Sequence, residues 1–349
     1  MFDNNSKTGR SLSELIKTLC MLDGVSGYED ETRDYIREQV VPYADEIRED
    51  ALGNLMVFQR GTHPGGPTLM LCAHMDEVGL IIKSITDEGY LRFGCIGGID
   101  RRVLPGRRVS VGPTKHPGVI GLKAKHLVDR ESQKSLPNVE DMYIDIGAAD
   151  KTEAEGLISL GDACVFYSIP EELGDGFLKA RALDDRVGCA CLIRRLTEKR
   201  PLIDTWTVFT AQEEAGTRGA YGAAFHINPD IAVIVETTTA ADFPDIPTHK
   251  RVCRPGSGVV IPVMDRGAVY TPRLVDLART LADNHGIPWQ HKEAIAGGTD
   301  ARAIQTSRVG VETLGLAVAV RNLHSPSPVG CVEDFERLYR LLDVVVCSL

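Results

Sequence analysis

Apolar positions along the chain fall into two textures. Over residues 12–22 they recur at helical spacing (Leu12, Leu15, Ile16, Leu19), and Ser11 or Ser13 can cap the start. Gly24-Val25-Ser26-Gly27-Tyr28 then reads as a turn, and 31–41 as a second amphipathic helix stopped by Pro42. Residues 50–55 read as a turn into a strand at 56–58. Residues 67–73, ending Leu-Met-Leu-Cys-Ala, form an apolar run of strand length, as expected for a strand covered on both faces. Residues 205–210, 231–235, 259–263 and 315–320 repeat that pattern, alternating with helical stretches at 187–196, 272–285 and 334–346.

Between residue 76 and about 162 the texture is different. Short β-like runs at 79–85, 90–93, 103–111, 118–122 and 142–146 alternate with Gly and Pro turns, without a long helical pattern. The whole predicts an α/β fold: a mixed-sheet, three-layer catalytic domain made of residues 1–75 and 164–349, interrupted by a small β-barrel or sandwich over 76–163.

Composition narrows the class. At 349 residues the chain exceeds one ordinary domain, and 43% hydrophobic with 25% charged residues marks a soluble globular protein. A formal net charge of -10 opposes nonspecific binding to nucleic acid or anionic membranes, so neither is expected as a partner. The nine cysteines are scattered without a Cys-x-x-Cys pair, which suits reduced thiols. The first residues lack a signal-peptide pattern and no apolar run approaches a membrane span, so a cytoplasmic location is expected.

Candidate chemistry gathers at the ends of the apolar runs. The 67–73 run delivers His74 and Asp76, two apart and so on one face of extended backbone. The 205–210 run leads to Glu213-Glu214, and 231–235 to Glu236; the run at 315–320 leads to His324. Asp184-Asp185 stands at the mouth of a helix, where it admits two readings: N-capping, or cation binding. The company it keeps favours a cation. Adjacent Glu213 and Glu214 point opposite ways in extended backbone, so one can ligate while the other faces a water.

Taken together, Ala73-His74-Met75-Asp76, Ala182 to Gly188, Gln212 to Gly216, Glu236, Gly297-Gly298-Thr299-Asp300 and His324-Ser325-Pro326 resemble the TET-type aminopeptidases. That family includes glutamyl and deblocking aminopeptidases, co-catalytic zinc peptidases of which some were named endoglucanases. The resemblance spans nearly the whole chain. It implies a zinc-aminopeptidase-like catalytic domain, with the β-rich insert as its dimerisation domain. It also implies two divalent ions per subunit, zinc or else cobalt or manganese, bridged by Asp184 and completed by His74 and Glu236 on one side and by Glu214 and His324 on the other.

By the same resemblance Asp76 orients His74, Glu213 is the general base, and the Asp184–Asp185 peptide is cis. Gly298, Thr299 and Asp300 are candidate substrate-binding residues. Departures from the family pattern include Glu236, where many relatives have Asp, and Arg302, where smaller residues or His are frequent. Oxygen and imidazole donors without a thiolate suit borderline divalent metals in any case.

The expected activity is removal of the N-terminal residue from small or unfolded peptides by a homo-oligomer: dimers, with a hollow dodecamer as the larger alternative. Two rival classes are another hydrolase on the same scaffold (carboxypeptidase, deacylase or glycosidase) and a non-catalytic peptide-binding scaffold. A glycosidase needs no metal, and two histidines beside a bridging Asp argue against it.

Overall fold

Local chemistry decides where the elements begin. Ser11 caps the first helix by accepting from the Glu14 amide at 3.2 Å, while the Glu14 carboxylate accepts from the Ser11 amide at 2.8 Å, a reciprocal capping box. The computed structural model describes residues 10–63, 65–129 and 135–349. Its helices are α1 (Leu12–Leu19), α2 (Asp30–Val40), α3 (Lys151–Leu157), α4 (Leu183–Glu198), α5 (Arg218–Ile227), α6 (Pro272–Asn284), α7 (Ala301–Gln305) and α8 (Val332–Val346).

The strands, in chain order, are β1 (Glu46–Glu49), β2 (Leu55–Gln59), β3 (Leu69–His74), β4 (Gly79–Ile85), β5 (Leu91–Ile96) and β6 (Arg108–Val111). They continue with β7 (His116–Leu122), β8 (Met142–Asp145), β9 (Ala163–Phe166), β10 (Glu171–Leu173), β11 (Phe177–Lys179) and β12 (Thr205–Thr210). The last are β13 (Ile231–Thr239), β14 (Val259–Val260), β15 (Trp289–Gln290), β16 (Glu312–Arg321) and β17 (Val329–Cys331).

One large mixed sheet runs β1-β2-β12-β3-β13-β16-β17-β11-β10, with β14 and β15 attached beside β16. Its centre, β12-β3-β13-β16, is parallel, and the flanking pairs are antiparallel. β3 and β12 are buried at every position, which requires cover on both faces. Helix α4 lies along β3, β13 and β12 and packs on α1, α2 and α8, whereas α5 and α7 pack on each other, with α5 on β12 and α7 on β16.

β4, β5, β8, β7, β6 and β9 close into a six-stranded barrel with its own core, built around Leu80, Phe93, Val111, Ile120, Ile144 and Phe166. The fold is therefore mixed α/β with a barrel set between β3 and β10. The expected strand at 103–111 is shorter than its apolar pattern: Arg101–Val103 is a 3₁₀ turn, and Pro105-Gly106, with Gly106 at φ +76°, delays the strand to Arg108. The apolar run at 259–263 pairs as strand only over Val259–Val260.

Among the described residues no helix is long and apolar enough to cross a membrane. Of the two readings of Asp184-Asp185, the capping one is met by Asp185. Asp185 caps α4 through Oδ1, which accepts from the Gly188 amide at 2.9 Å. A Cβ at residue 188 would lie 2.2 Å from the Asp185 carboxylate, so the close approach needs glycine. That leaves the Asp184 side chain for the cleft.

Candidate metal centre

Parallel strands collect their functional groups at their carboxyl ends, and so it is here. His74 is the last residue of β3, in register with Thr210, the last of β12; the chain leaving β12 carries Glu213 and Glu214. Glu236 lies within β13, and His324 follows β16. Asp184 enters from the side, at the non-helical start of α4, where the Asp184–Asp185 peptide is cis.

Asp184 stands between the two histidines. Its Oδ1 is 3.2 Å from His74 Nε2 and its Oδ2 is 3.4 Å from His324 Nε2. Glu236 approaches His74 Nε2 at 3.5 Å, and Glu214 approaches His324 Nε2 at 3.2 Å. The sequence-chosen set His74, Asp184, Glu214, Glu236 and His324 thus converges in two groups that share one carboxylate. Glu213 lines the same cavity as Glu214 and makes no ion pair with any described residue, whereas Glu214 pairs with His324.

The other ring nitrogens are fixed from behind. His74 Nδ1 lies 3.0 Å from the carbonyl of Asp76 and 3.4 Å from its carboxylate. His324 Nδ1 lies 3.0 Å from the carbonyl of Gly98, a residue of the barrel. A proton on each Nδ1, donated to a carbonyl, leaves Nε2 as a lone-pair donor. Gly97 (φ +81°) allows this approach, since a Cβ there would lie 2.6 Å from Val78.

Asp76 does more than face His74. Its carboxylate accepts from the amides of Glu213 (2.9 Å) and Glu214 (3.1 Å) and from Ser26 Oγ (2.6 Å). Gln212 and His324, flanking or belonging to the cluster, hold left-handed backbone at φ +57° and +55°. For non-glycine residues that costs roughly 1–3 kcal/mol each and persists where the surroundings over-determine it.

Electrostatics match the geometry. Burial pushes the Glu236 carboxyl up to about 8 against the opposing pull of His74, and burial likewise raises Glu213 well above the usual range. Burial works against a charged His324, but its bonds to Asp184 and Glu214 outweigh this and raise it to about 11. Among the described residues Asp184, Glu214 and Glu236 find ion-pair partners only in the two histidines, and no thiol faces the cluster. Buried carboxylates left without a cation are costly, so the cluster fits divalent metal.

Residues 53–341 match the sequence profile of the M42 glutamyl aminopeptidases. The chain belongs to that family. The lysyl aminopeptidase of Pyrococcus furiosus is 32% identical, covering 96% of this chain and 97% of its own. The glutamyl aminopeptidase of Lactococcus lactis is 28% identical, with 97% and 96% covered. The TET1 peptidase of Pyrococcus horikoshii, which assembles into a tetrahedron or a large octahedral shell, superposes with a TM-score of 0.86 at 35% identity. That match covers 97% of this chain and 100% of the other. As an M42 member the protein is an aminopeptidase, a hydrolase of a metal-dependent family.

A cavity of about 590 Å³ opens over the cluster, lined by His74, Asp184, Glu213, Glu214, Glu236 and His324. Gly298 and Thr299 line the same cavity, as do the cations Arg266, Lys292 and Arg302. Asp300, the third residue of that expected set, is not part of the cavity lining. It is 2% exposed, stands at the N-terminal cap of α7, and its Oδ2 accepts from Thr210 Oγ1 at 2.5 Å. Burial pushes its carboxyl up to about 6. Ser26, Glu29, the Gly98 carbonyl and the cations of the cavity escaped sequence reasoning; of these only Arg302 carried a signal, as a large residue after the glycine turn.

Proposed function

We propose that the protein releases the N-terminal residue of small or unfolded peptides at a two-metal centre in which Glu213 moves the protons. The observation that carries this reading is Asp184 set between His74 and His324, with Glu236 and Glu214 completing either side. In it Asp184 would be the shared ligand, His74 and Glu236 would hold one ion, and Glu214 and His324 would hold the other. Zinc, cobalt or manganese suits such donors. When bound, divalent ions supply Lewis-acid chemistry, acidifying water and polarising the scissile carbonyl. Glu213 takes a proton from the attacking water and returns it to the leaving amine nitrogen. Asp76 keeps Glu213 and Glu214 in place through their amides. The barrel serves as the dimerisation domain, and larger shells like those of the TET1 peptidase follow from it.

The test is hydrolysis of amino-acid anilides before and after dialysis against chelator. Activity should vanish and return with zinc, cobalt or manganese; undiminished turnover in chelator sinks the reading. Because Glu236 and His324 hold protons up to about 8 and 11, protons compete with metal, and reconstitution should be stronger at pH 8 than at pH 6.

Relatives named for lysyl and for glutamyl substrates leave the preferred residue open, and the cations of the cavity support one reading. Arg266, Lys292 and Arg302 line the cavity, and among the described residues none has an ion pair or side-chain hydrogen bond. Burial lowers the Lys292 pKa against the pull of Asp265 and Glu236, and an anionic substrate group beside it would offset that cost of carrying charge. We assign the protein to N-terminal Glu or Asp. The kcat/KM for a glutamyl anilide should exceed that for a lysyl anilide by about 10-fold or more, on the scale of one partly buried ion pair. Charge reversal at both Lys292 and Arg302 should invert the order; a preference that ignores those substitutions rejects the assignment.

A further inference from the structure

The chain leaving β12 is caught amide by amide. The Ala211 amide donates to Asn54 Oδ1 at 2.9 Å, Gln212 to Glu29 Oε1 at 3.1 Å, Glu213 to Asp76 Oδ1 at 2.9 Å, and Glu214 to Asp76 Oδ2 at 3.1 Å. Four successive backbone donors therefore end on side chains from three other segments. The Glu213 carbonyl in turn accepts from the amides of Gly216 (2.8 Å) and Thr217 (2.7 Å).

Within this set Glu29 is anomalous. It lies in the turn before α2, is 2% exposed, and has no cationic partner among the described residues. Its Oε1 accepts from the amides of Gly27 (2.7 Å) and Gln212 (3.1 Å). Burial, with Asp76 nearby, pushes it up to about 7, so the fold keeps a carboxyl where an apolar residue would be easier to bury. Gln212, the residue it grips, holds left-handed backbone at φ +57°, which a non-glycine residue adopts only when held.

We propose that Glu29 is a positioning residue for the base: by gripping the Gln212 amide it fixes the left-handed turn that aims Glu213 into the cavity. A carboxylate does this because one oxygen can receive two amides at once, as it does here from Gly27 and Gln212. Glu29 itself touches neither substrate nor the metal-ligand set. The inference rests on Glu213 as base, and Glu213→Gln tests that separately.

The experiment compares Glu29→Ala, Glu29→Asp and Glu29→Gln in the full-length, metal-loaded protein, reading kcat, KM and bound metal. Loss of the grip should lower kcat in Glu29→Ala and Glu29→Asp by about 10- to 100-fold, the scale of a small misplacement of a catalytic group, with KM and metal content unchanged. Glu29→Gln keeps an acceptor oxygen and should stay within about 3-fold of the parent. Glycine adopts positive φ freely, so adding Gln212→Gly to Glu29→Ala should restore part of the lost kcat. Should Glu29→Ala not fold, the Glu29→Asp and Glu29→Gln pair carries the comparison. A kcat unchanged within twofold in Glu29→Asp, a loss that follows metal content, or no recovery with Gln212→Gly overturns the proposal.

Discussion

Glu213→Gln is expected to lower kcat by about 10³- to 10⁴-fold, the upper range for general acid–base catalysis, because one carboxyl serves both proton transfers. Bound metal should stay at the parental level, since Glu213 pairs with none of the clustered histidines while Glu214 lies 3.2 Å from His324. Glutamine has the same shape, and the backbone bond from residue 213 to Asp76 does not involve the side chain, so the fold should be unaffected. Steady-state kinetics beside elemental analysis checks this. A variant within about 10-fold of the parent would remove Glu213 from the chemistry.

Asp184→Ala has the opposite signature. The Asp184 carboxylate lies 3.2 Å from His74 Nε2 and 3.4 Å from His324 Nε2, and no other described side chain reaches both. On the two-metal reading proposed above, its loss should drop bound metal to less than half the parental level and kcat/KM by about 10⁴-fold or more, on the scale of metal activation of water. The two imidazoles would also lose the acid between them, so excess metal should restore little. An Asp184→Ala protein that retains both ions, measured by elemental analysis after desalting, contradicts a shared ligand.

The central strands were legible because burial on both faces leaves an unbroken apolar run, as in Leu69–His74 and Thr205–Thr210. Their carboxyl ends then pointed to His74, Glu213, Glu214, Glu236 and His324 before any coordinates. Helix α5 was invisible because its buried positions are Gly219, Ala220, Ala223 and Ala224, too small to show as a hydrophobic stripe. β1 (Glu-Ile-Arg-Glu) and β10 (Glu-Glu-Leu) lie on the sheet's rim with exposed charged residues, which erases the strand pattern.

Other parts of the site were unreadable for a different reason. The Gly98 carbonyl is a backbone group, and nothing in sequence says which carbonyl will face an imidazole 226 residues away. Glu29 reads as an ordinary acid before a helix; only packing shows the Gln212 amide against it. The bond of Asp300 to Thr210 is likewise a product of packing, with no trace in the glycine turn that precedes it.

The Gly98–His324 contact makes the two modules mutually dependent. An engineer who trimmed the protein to its peptidase body, splicing β3 to β10, would delete the one acceptor that the described residues place behind that imidazole. The ring would be free to spin or to swap tautomer, and a minimised enzyme would stay crippled even with every ligand in its sequence. Miniaturisation of this scaffold has to begin by finding His324 a new acceptor.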